Sequence, residues 1–359
     1  MTRRRRFASL AVLALAAVAC SGGGSSAPDT SGPSVTEPGT SSSTSAAATT
    51  STLEETTTTV ASGPVYPLTG LPVTDPAVAA RPALVVKIDN NRSARPQSGL
   101  NEADIVFEEI VEVQTRFAAV FHSQGADPVG PIRSGRTQDI ALLGSFNRPL
   151  FTWSGGNKNV TKAIDNSDLV SLSAQNLHAY QGGGFFRFNQ RRSPHNLYAQ
   201  TSKLWTLAAP GAGPPPQQFQ YRAAGEPVLG EVASGATGDM FGLSITWMFD
   251  PVTGLYGRTS GGEAHSDALS GGQVTTNNVV VMEVAYRPSP ADVRSPEAQT
   301  VGTGSALVFT GGKVVRGTWT RTDRLSPVVL TAADGSPILL TPGRTFVELA
   351  RSGTFSPVA

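Results

Sequence analysis

Ala83-Leu-Val-Val-Lys-Ile88, followed by Asp89 and Asn90, decides the fold class. Five of its six residues are apolar. Unbroken apolar character over so short a run predicts a strand buried on both faces, as in helix-covered sheets. Lys87 and Asp89 alternate with Ile88 at its end, where ligands sit in open α/β sheets. Downstream the periodicity changes. Residues 100–113 space Ile105, Val106, Ile110 and Val113 as a helix would, and residues 117–121 follow as a strand. Residues 137–146 read as a helix, 150–153 as a strand, 160–165 as a helix, 168–172 as a strand and 196–208 as a helix. This alternation predicts an α/β domain over residues 64–207 with a largely parallel or mixed sheet.

The second half has a different rhythm. Residues 244–249 and 255–258 flank a turn at Asp250-Pro-Val-Thr-Gly254, and short β-type runs follow from 279 to 349. Gly311-Gly312 and Asp334-Gly335 join neighbouring runs as hairpin turns. A mainly antiparallel β domain over residues 226–359 is expected. Between the halves, Ala208-Ala-Pro-Gly-Ala-Gly-Pro-Pro-Pro216 breaks any helix or central strand, so residues 208–225 are read as a linker or loop. The expected class is α+β.

The N-terminus predicts the location. Arg3, Arg4, Arg5 and Arg6 precede an apolar run over 7–19 that ends Ala17-Val18-Ala19-Cys20. A cationic start, a short apolar core and small residues at the cut describe a secretory signal. The run is shorter than the roughly 20 apolar residues that span a bilayer. Cysteine just after the small residues is what lipoprotein processing requires, although Ala17 stands where leucine is usual. Cys20 is the only cysteine, so no intrachain disulfide can form. Residues 1–20 are therefore read as a lipoprotein signal with Cys20 as the acylated residue. Residues 21–63 hold Ser, Thr, Gly, Ala and Pro with almost no large apolar side chain. They read as a disordered tether with a reach of roughly 35–40 Å. An extracytoplasmic protein, lipid-anchored to the outer face of the cytoplasmic membrane, is expected.

Charge narrows the function classes. The formal net charge is +1, and removing the four signal arginines leaves −3. The tether holds Asp29, Glu37, Glu54 and Glu55 and no base, so the part that follows returns to +1. Without a basic excess, nucleic acid is not an expected partner. Lysine is confined to Lys87, Lys158, Lys162, Lys203 and Lys313, which with the Ala and Gly richness points to a high-GC genome such as an actinobacterium's.

The polar residues that could carry chemistry concentrate in the first half. Arg92 and Arg95 follow the strand that ends at Asp89. Asp104 and Glu108, four apart, would share a helix face. Arg133 and Arg136 flank Ser134-Gly135 just before a predicted helix, where cations oppose the helix dipole unless an anion lies between them. Arg95, Arg116, Arg133 and Arg136 are thus candidate anion ligands, with Asp89, Asp104 and Glu108 as acid/base groups. The competing reading makes Asp104, Glu108 and Asp139 internal ion-pair partners of Arg116, Arg133 and Arg136. His195 with Asn196 and His265 with Asp267 are candidate cleft residues: a general base or a loop cap in one case, a base or a polar hairpin tip in the other. Phe185, Phe186 and Phe188 beside Gly182-Gly183-Gly184 could line a sugar groove or anchor a loop. No HExxH spacing, second cysteine, Walker loop or GxSxG elbow occurs. No cofactor and no metal are expected.

Several longer motifs carry a resemblance. Arg81-Pro-Ala-Leu-Val-Val-Lys-Ile-Asp-Asn90, Ala94-Arg-Pro-Gln-Ser-Gly-Leu100, Val129-Gly-Pro-Ile-Arg-Ser-Gly-Arg136 and Ser193-Pro-His-Asn-Leu-Tyr198 resemble the YerB-like lipoproteins. Gly257-Arg258, Asn278-Val-Val-Val281 and Gly317-Thr-Trp319 are similar to that family's second domain. His265-Ser-Asp267 departs mildly from the expected His, aliphatic, Asp. The resemblance implies two domains and an envelope location, and no activity. Two functions are therefore weighed. One is a non-catalytic envelope lipoprotein that binds a cell-wall polymer or an envelope protein. The other is an envelope enzyme whose phosphorylated or carboxylated substrate is gripped by Arg133 and Arg136. The sequence leaves catalysis and oligomeric state undecided.

Overall fold

The computed structural model describes residues 63–359, so Cys20 and the tether up to residue 62 lie outside the described residues. The stretch that opened the reading is strand β1, Leu84–Asp89, buried along its whole length. It lies between β3, Gln114–Phe121, antiparallel to it, and β4, Leu150–Trp153, parallel to it. Strand β5, Val170–Ser173, extends the sheet beyond β4. On the other side β3 pairs with β2, Ile105–Val111. The expected helix over residues 100–113 is thus corrected to a strand and its approach. Every residue of β2 is buried, so apolar positions that happen to fall at helical spacing serve a strand covered on both faces.

The sheet continues into the second half. β2 pairs in parallel with Thr345–Ala350, which pairs in parallel with Asn278–Glu283. Strands Gly302–Thr310, Lys313–Arg321 and Val329–Ala332 follow in antiparallel order, and the whole sheet has eleven strands. The segment 208–225 holds no helix or strand beyond one bridge from Tyr221 to Leu340. It does not separate two sheets, and this corrects the picture of one sheet per half. The reason lies in the side chains. Strand Thr345–Ala350 is buried at every position and Asn278–Glu283 at all but its last, so both need neighbours on two edges and cover on two faces.

One face of this sheet is covered by short helices, through Leu142, Val160 and Ile164 packed on Val85, Phe107 and Val347. The expected helix over 137–146 is the turn Gln138–Leu142 and a 3-10 segment, that over 160–165 is Lys158–Asp165, and that over 196–208 shrinks to Thr201–Trp205. The other face meets a second, six-stranded antiparallel sheet that includes Gly235–Asp239, Ser244–Asp250, Leu255–Ser260 and Phe355–Val358. Ile245, Trp247 and Tyr256 pack there on Phe117, Val279 and Phe346. Sheet alternation aims Tyr256, Arg258 and Ser260 into this layer, and all three are buried.

Candidate functional site

At the end of β1 the two faces carry separate polar clusters. Lys87 and Asp89 share the helix-covered face. The Lys87 ammonium, fully buried, donates to Glu109 and to Asp139 Oδ1 at 2.7 Å. Asp139 Oδ2 accepts the Arg136 backbone N–H at 2.7 Å, which fixes the start of the helix at Gln138. Asp89 is also fully buried. Its Oδ2 meets His195 Nδ1 at 2.7 Å and lies 3.1 Å from Arg133 Nε, while Oδ1 accepts the Asn91 N–H.

The opposite face holds a denser network. Glu108 Oε1 accepts from Asn90 Nδ2 at 3.0 Å and from Thr115 Oγ1 at 2.6 Å, and its Oε2 accepts from Arg258. The other guanidinium nitrogen of Arg258 contacts His265 Nδ1 at 2.7 Å. Arginine can only donate, so Nδ1 is the accepting nitrogen of a neutral ring. Nε2 then carries the hydrogen and donates to Gln97 Oε1 at 2.7 Å. Gln97 in turn donates to the Asp89 carbonyl at 2.9 Å. Burial, then the charges of Arg258 and Arg95, hold the His265 pKa well below its usual value. With both ring nitrogens engaged, His265 has no lone pair left for base chemistry. Glu348 stands opposite Glu108 in the register, and accepts from Trp247 Nε1 at 2.9 Å. Burial and then the neighbouring Glu108 push the Glu348 pKa well up, and the two carboxyls face one arginine.

An open cavity of about 640 Å³ lies above this network. Its floor includes Asn90, Thr115, Ser260 and His265, and Arg95 stands in its wall. Arg95 donates to Asn90 Oδ1 through Nε at 3.2 Å and Nη2 at 2.9 Å, and among the described residues it forms no ion pair. Burial, then repulsion from Arg258, lowers its pKa. Ser260 is only 3% exposed and its hydroxyl has no hydrogen-bond partner among the described residues. Phe241 sits at the rim, 45% exposed, on a two-residue hairpin turn between Met240 and Leu243. Phe241 has φ 59° and Gly242 φ 82°. Such turns prefer Asn-Gly, and a phenylalanine there costs on the order of 1–2 kcal/mol of backbone strain.

The other predicted residues fall as follows. Arg136 forks onto Glu112 at 2.6 and 2.9 Å. Half-burial raises the Glu112 pKa, but the Arg136 hydrogen bonds and charge outweigh it and bring it to about 2. Arg116 is buried and donates to the Ser134 carbonyl at 3.0 Å; burial, then the Arg136 charge, lowers it to about 10. The anion expected between Arg133 and Arg136 is therefore replaced by two carboxylates of the chain itself, Asp89 and Glu112. The partners proposed from sequence for the internal network also differ, because Asp104 and Glu108 lie on a strand and its approach. Asp104 is buried and accepts the His122 and Ser123 backbone N–H groups, the latter at 2.7 Å. Asn196 holds its loop by donating to the Arg191 carbonyl at 3.1 Å and accepting from Arg187 at 2.8 Å. Phe185 stacks on Tyr180 and Phe186 on Tyr198, so those rings pack the loop.

Asp267 is a structural brace. Its Oδ2 accepts the Leu100 N–H at 2.7 Å, and its Oδ1 accepts the Leu269 and Ser270 N–H groups at 2.9 and 3.0 Å. Asp267→Ala is expected to destabilise the chain by about 1–3 kcal/mol, read from the denaturant midpoint, because it orphans a buried amide. A midpoint equal to that of the unaltered chain would remove the brace. The residues that sequence reasoning missed are Arg258, Glu348, Glu109, Gln97, Ser260 and Phe241. One signal was available: Tyr256, Arg258 and Ser260 alternate with a period of two, which puts the arginine on the same strand face as a large aromatic.

Comparison with known proteins agrees with the architecture. Residues 68–213 match the family described as "Protein of unknown function (DUF3048) N-terminal domain", and residues 240–347 match its C-terminal domain. YerB of Bacillus subtilis (strain 168), a relative whose name includes the word lipoprotein, is 28% identical over 299 residues, 79% of this chain and 85% of that protein. The crystal structure of YerB superposes with a TM-score of 0.70 at 24% identity, covering 82% of this chain and 99% of that one.

Proposed function

Because the chain belongs to the DUF3048 family, both of whose domains it carries, we propose that it is a membrane-anchored extracytoplasmic lipoprotein that binds an envelope polymer or partner protein. The observation that carries the binding reading is the open cavity of about 640 Å³ walled by Arg95, a half-buried cation with no ion pair among the described residues. A pocket of that size, with a few converging polar groups, is the usual form of a ligand site. The anchor reading rests on Cys20 behind its small residues and on the lipoprotein in the name of the relative YerB. A catalytic reading gains little here, since Arg133 and Arg136 already hold carboxylates and His265 has no free lone pair.

The test has two arms. Metabolic labelling with a radioactive fatty acid should mark the chain, and Cys20→Ser should lose the label; an unlabelled chain, or a label that survives in Cys20→Ser, would sink the anchor. The purified mature chain should co-sediment with isolated cell-wall sacculi or with envelope membranes, and Arg95→Ala should weaken this about tenfold. Equal sedimentation by both proteins would remove the cavity from the function.

A further inference from the structure

Resting on the cavity as the binding site, we infer that its ligand is an acidic saccharide, a ring-bearing polyhydroxylated chain with one carboxylate per unit seated at Arg95. Charge decides the anion. The lining holds two guanidinium groups, Arg92 and Arg95, and one carboxylate, Glu263. Glu263 lies 3.5 Å from Arg92 at the surface, so one positive charge is left over, on Arg95. A phosphate dianion is normally gathered by several cations or by a row of free amides, and this cavity supplies one unpaired guanidinium. A single carboxylate matches one guanidinium whose Nε and Nη2 are held by Asn90 and whose Nη1 forms no hydrogen bond among the described residues.

The remaining surface describes the body of the ligand. The Asn90 amide and the Thr115 hydroxyl are already engaged with Glu108, Arg95 and each other, so the Ser260 hydroxyl, unpartnered among the described residues, is the one buried polar group at the cavity left for a ligand to satisfy. Buried polar atoms without partners are rare enough to need a reason. At the rim, Phe241 presents an exposed aromatic ring from a backbone conformation that its type disfavours. The face of an aromatic ring is electron-rich, so it attracts the C–H hydrogens on the flat side of a sugar. Asparagine would suit that turn better, so the phenylalanine is there for what its ring touches. An acidic peptide would use the arginine but has no demand for a stacking platform beside a buried, unpartnered hydroxyl.

Calorimetric titration of the mature full chain in detergent tests this with four probes: trigalacturonate, its neutral methyl ester, triglutamate and inorganic phosphate. Trigalacturonate should bind, and the ester should bind about tenfold more weakly or not at all. Arg95→Gln and Phe241→Asn should each lower the trigalacturonate affinity about tenfold, while Phe241→Asn raises Tm because Asn-Gly relieves the turn. A purely structural Phe241 would show the opposite pattern, lower Tm with affinity unchanged. Binding of triglutamate or phosphate as tightly as trigalacturonate overturns the saccharide and leaves the cavity as a plain anion site. Failure of all four probes, with Arg95-dependent sedimentation on sacculi intact, overturns the saccharide alone. Loss of that dependence strikes the binding reading as well.

Discussion

Arg258→Ala is expected to cost about 3–5 kcal/mol, the largest effect of any single substitution between the two sheets. The side chain is fully buried and its guanidinium lies 5.3–5.6 Å from the ring centres of Phe117, Trp247 and Phe346. It donates to Glu108 and His265, and its Nε is 3.9 Å from Glu348. Alanine would strand the Glu108 carboxylate inside the protein and leave a void among three aromatic rings. Breaking a buried pair from one side is far more damaging than replacing both partners. The double substitution Arg258→Met with Glu108→Gln should therefore recover much of the loss, since it fills the space and removes the orphaned charge. Denaturant midpoints of the single and double variants, compared as a cycle, check this. A single-variant loss below about 1 kcal/mol, or a double variant no better than Arg258→Ala, would show that the pair is not the keystone of the interface.

Why this cluster escaped the sequence reading is physical. The strand character of residues 84–89 was legible because continuous burial writes itself as continuous apolar sequence, Lys87 and Asp89 aside. Strand Ile105–Val111 was misread because Ile105, Val106 and Ile110 fit a helical period as well as a doubly buried strand, and its two glutamates look like solvent-facing residues. Glu108 and Glu109 in fact point to opposite faces, each toward a different cation: Arg258 lies 150 positions away and Lys87 lies 22 away. Short-range spacing carries no trace of such pairs. The cleft was legible only in part. Arg95 and His265 were singled out, but their roles depend on Arg258 and Ser260, which the distant strand Leu255–Ser260 of the second sheet brings beside them. The arginines most conspicuous in sequence, Arg133 and Arg136, stood out by their place before a helix, and the carboxylates that hold them sit 44 and 24 positions upstream.

Thermal stability should peak in mildly acid solution and fall as the pH rises toward about 8. The sign follows from buried groups whose pKa values move apart. Burial, then the charge of Asp139, raises Glu109 from 4.5 to about 8, and burial raises Asp104 from 3.8 to about 6. A carboxyl with a raised folded pKa binds its proton more tightly in the native state. Its contribution is complete below the unfolded value and drains away as the pH climbs through the folded one. For Glu109 that window runs from 4.5 to about 8. The histidines act at the other end. Burial, then the Arg81 charge, lowers His122 from 6.5 to about 4, and His265 lies well below 6.5. Each favours folding above 6.5 and loses that contribution as the pH falls through its folded pKa. The two arms leave the maximum between 4.5 and 6.5. With one pKa unit worth about 1.4 kcal/mol, the alkaline arm amounts to a few kcal/mol. Glu109→Gln isolates one of its sources, beside the raised Glu348. The amide cannot ionise, while Lys87 keeps Asp139 as its counter-ion at 2.7 Å. The variant should lose stability less steeply than the unaltered chain between about pH 6 and pH 8, and should match or exceed it at the upper end. A Tm that rises across that interval, or an unaltered slope in Glu109→Gln, would mean that Glu109 is ionised against Lys87 throughout and that the desolvation cost is met by that pair alone.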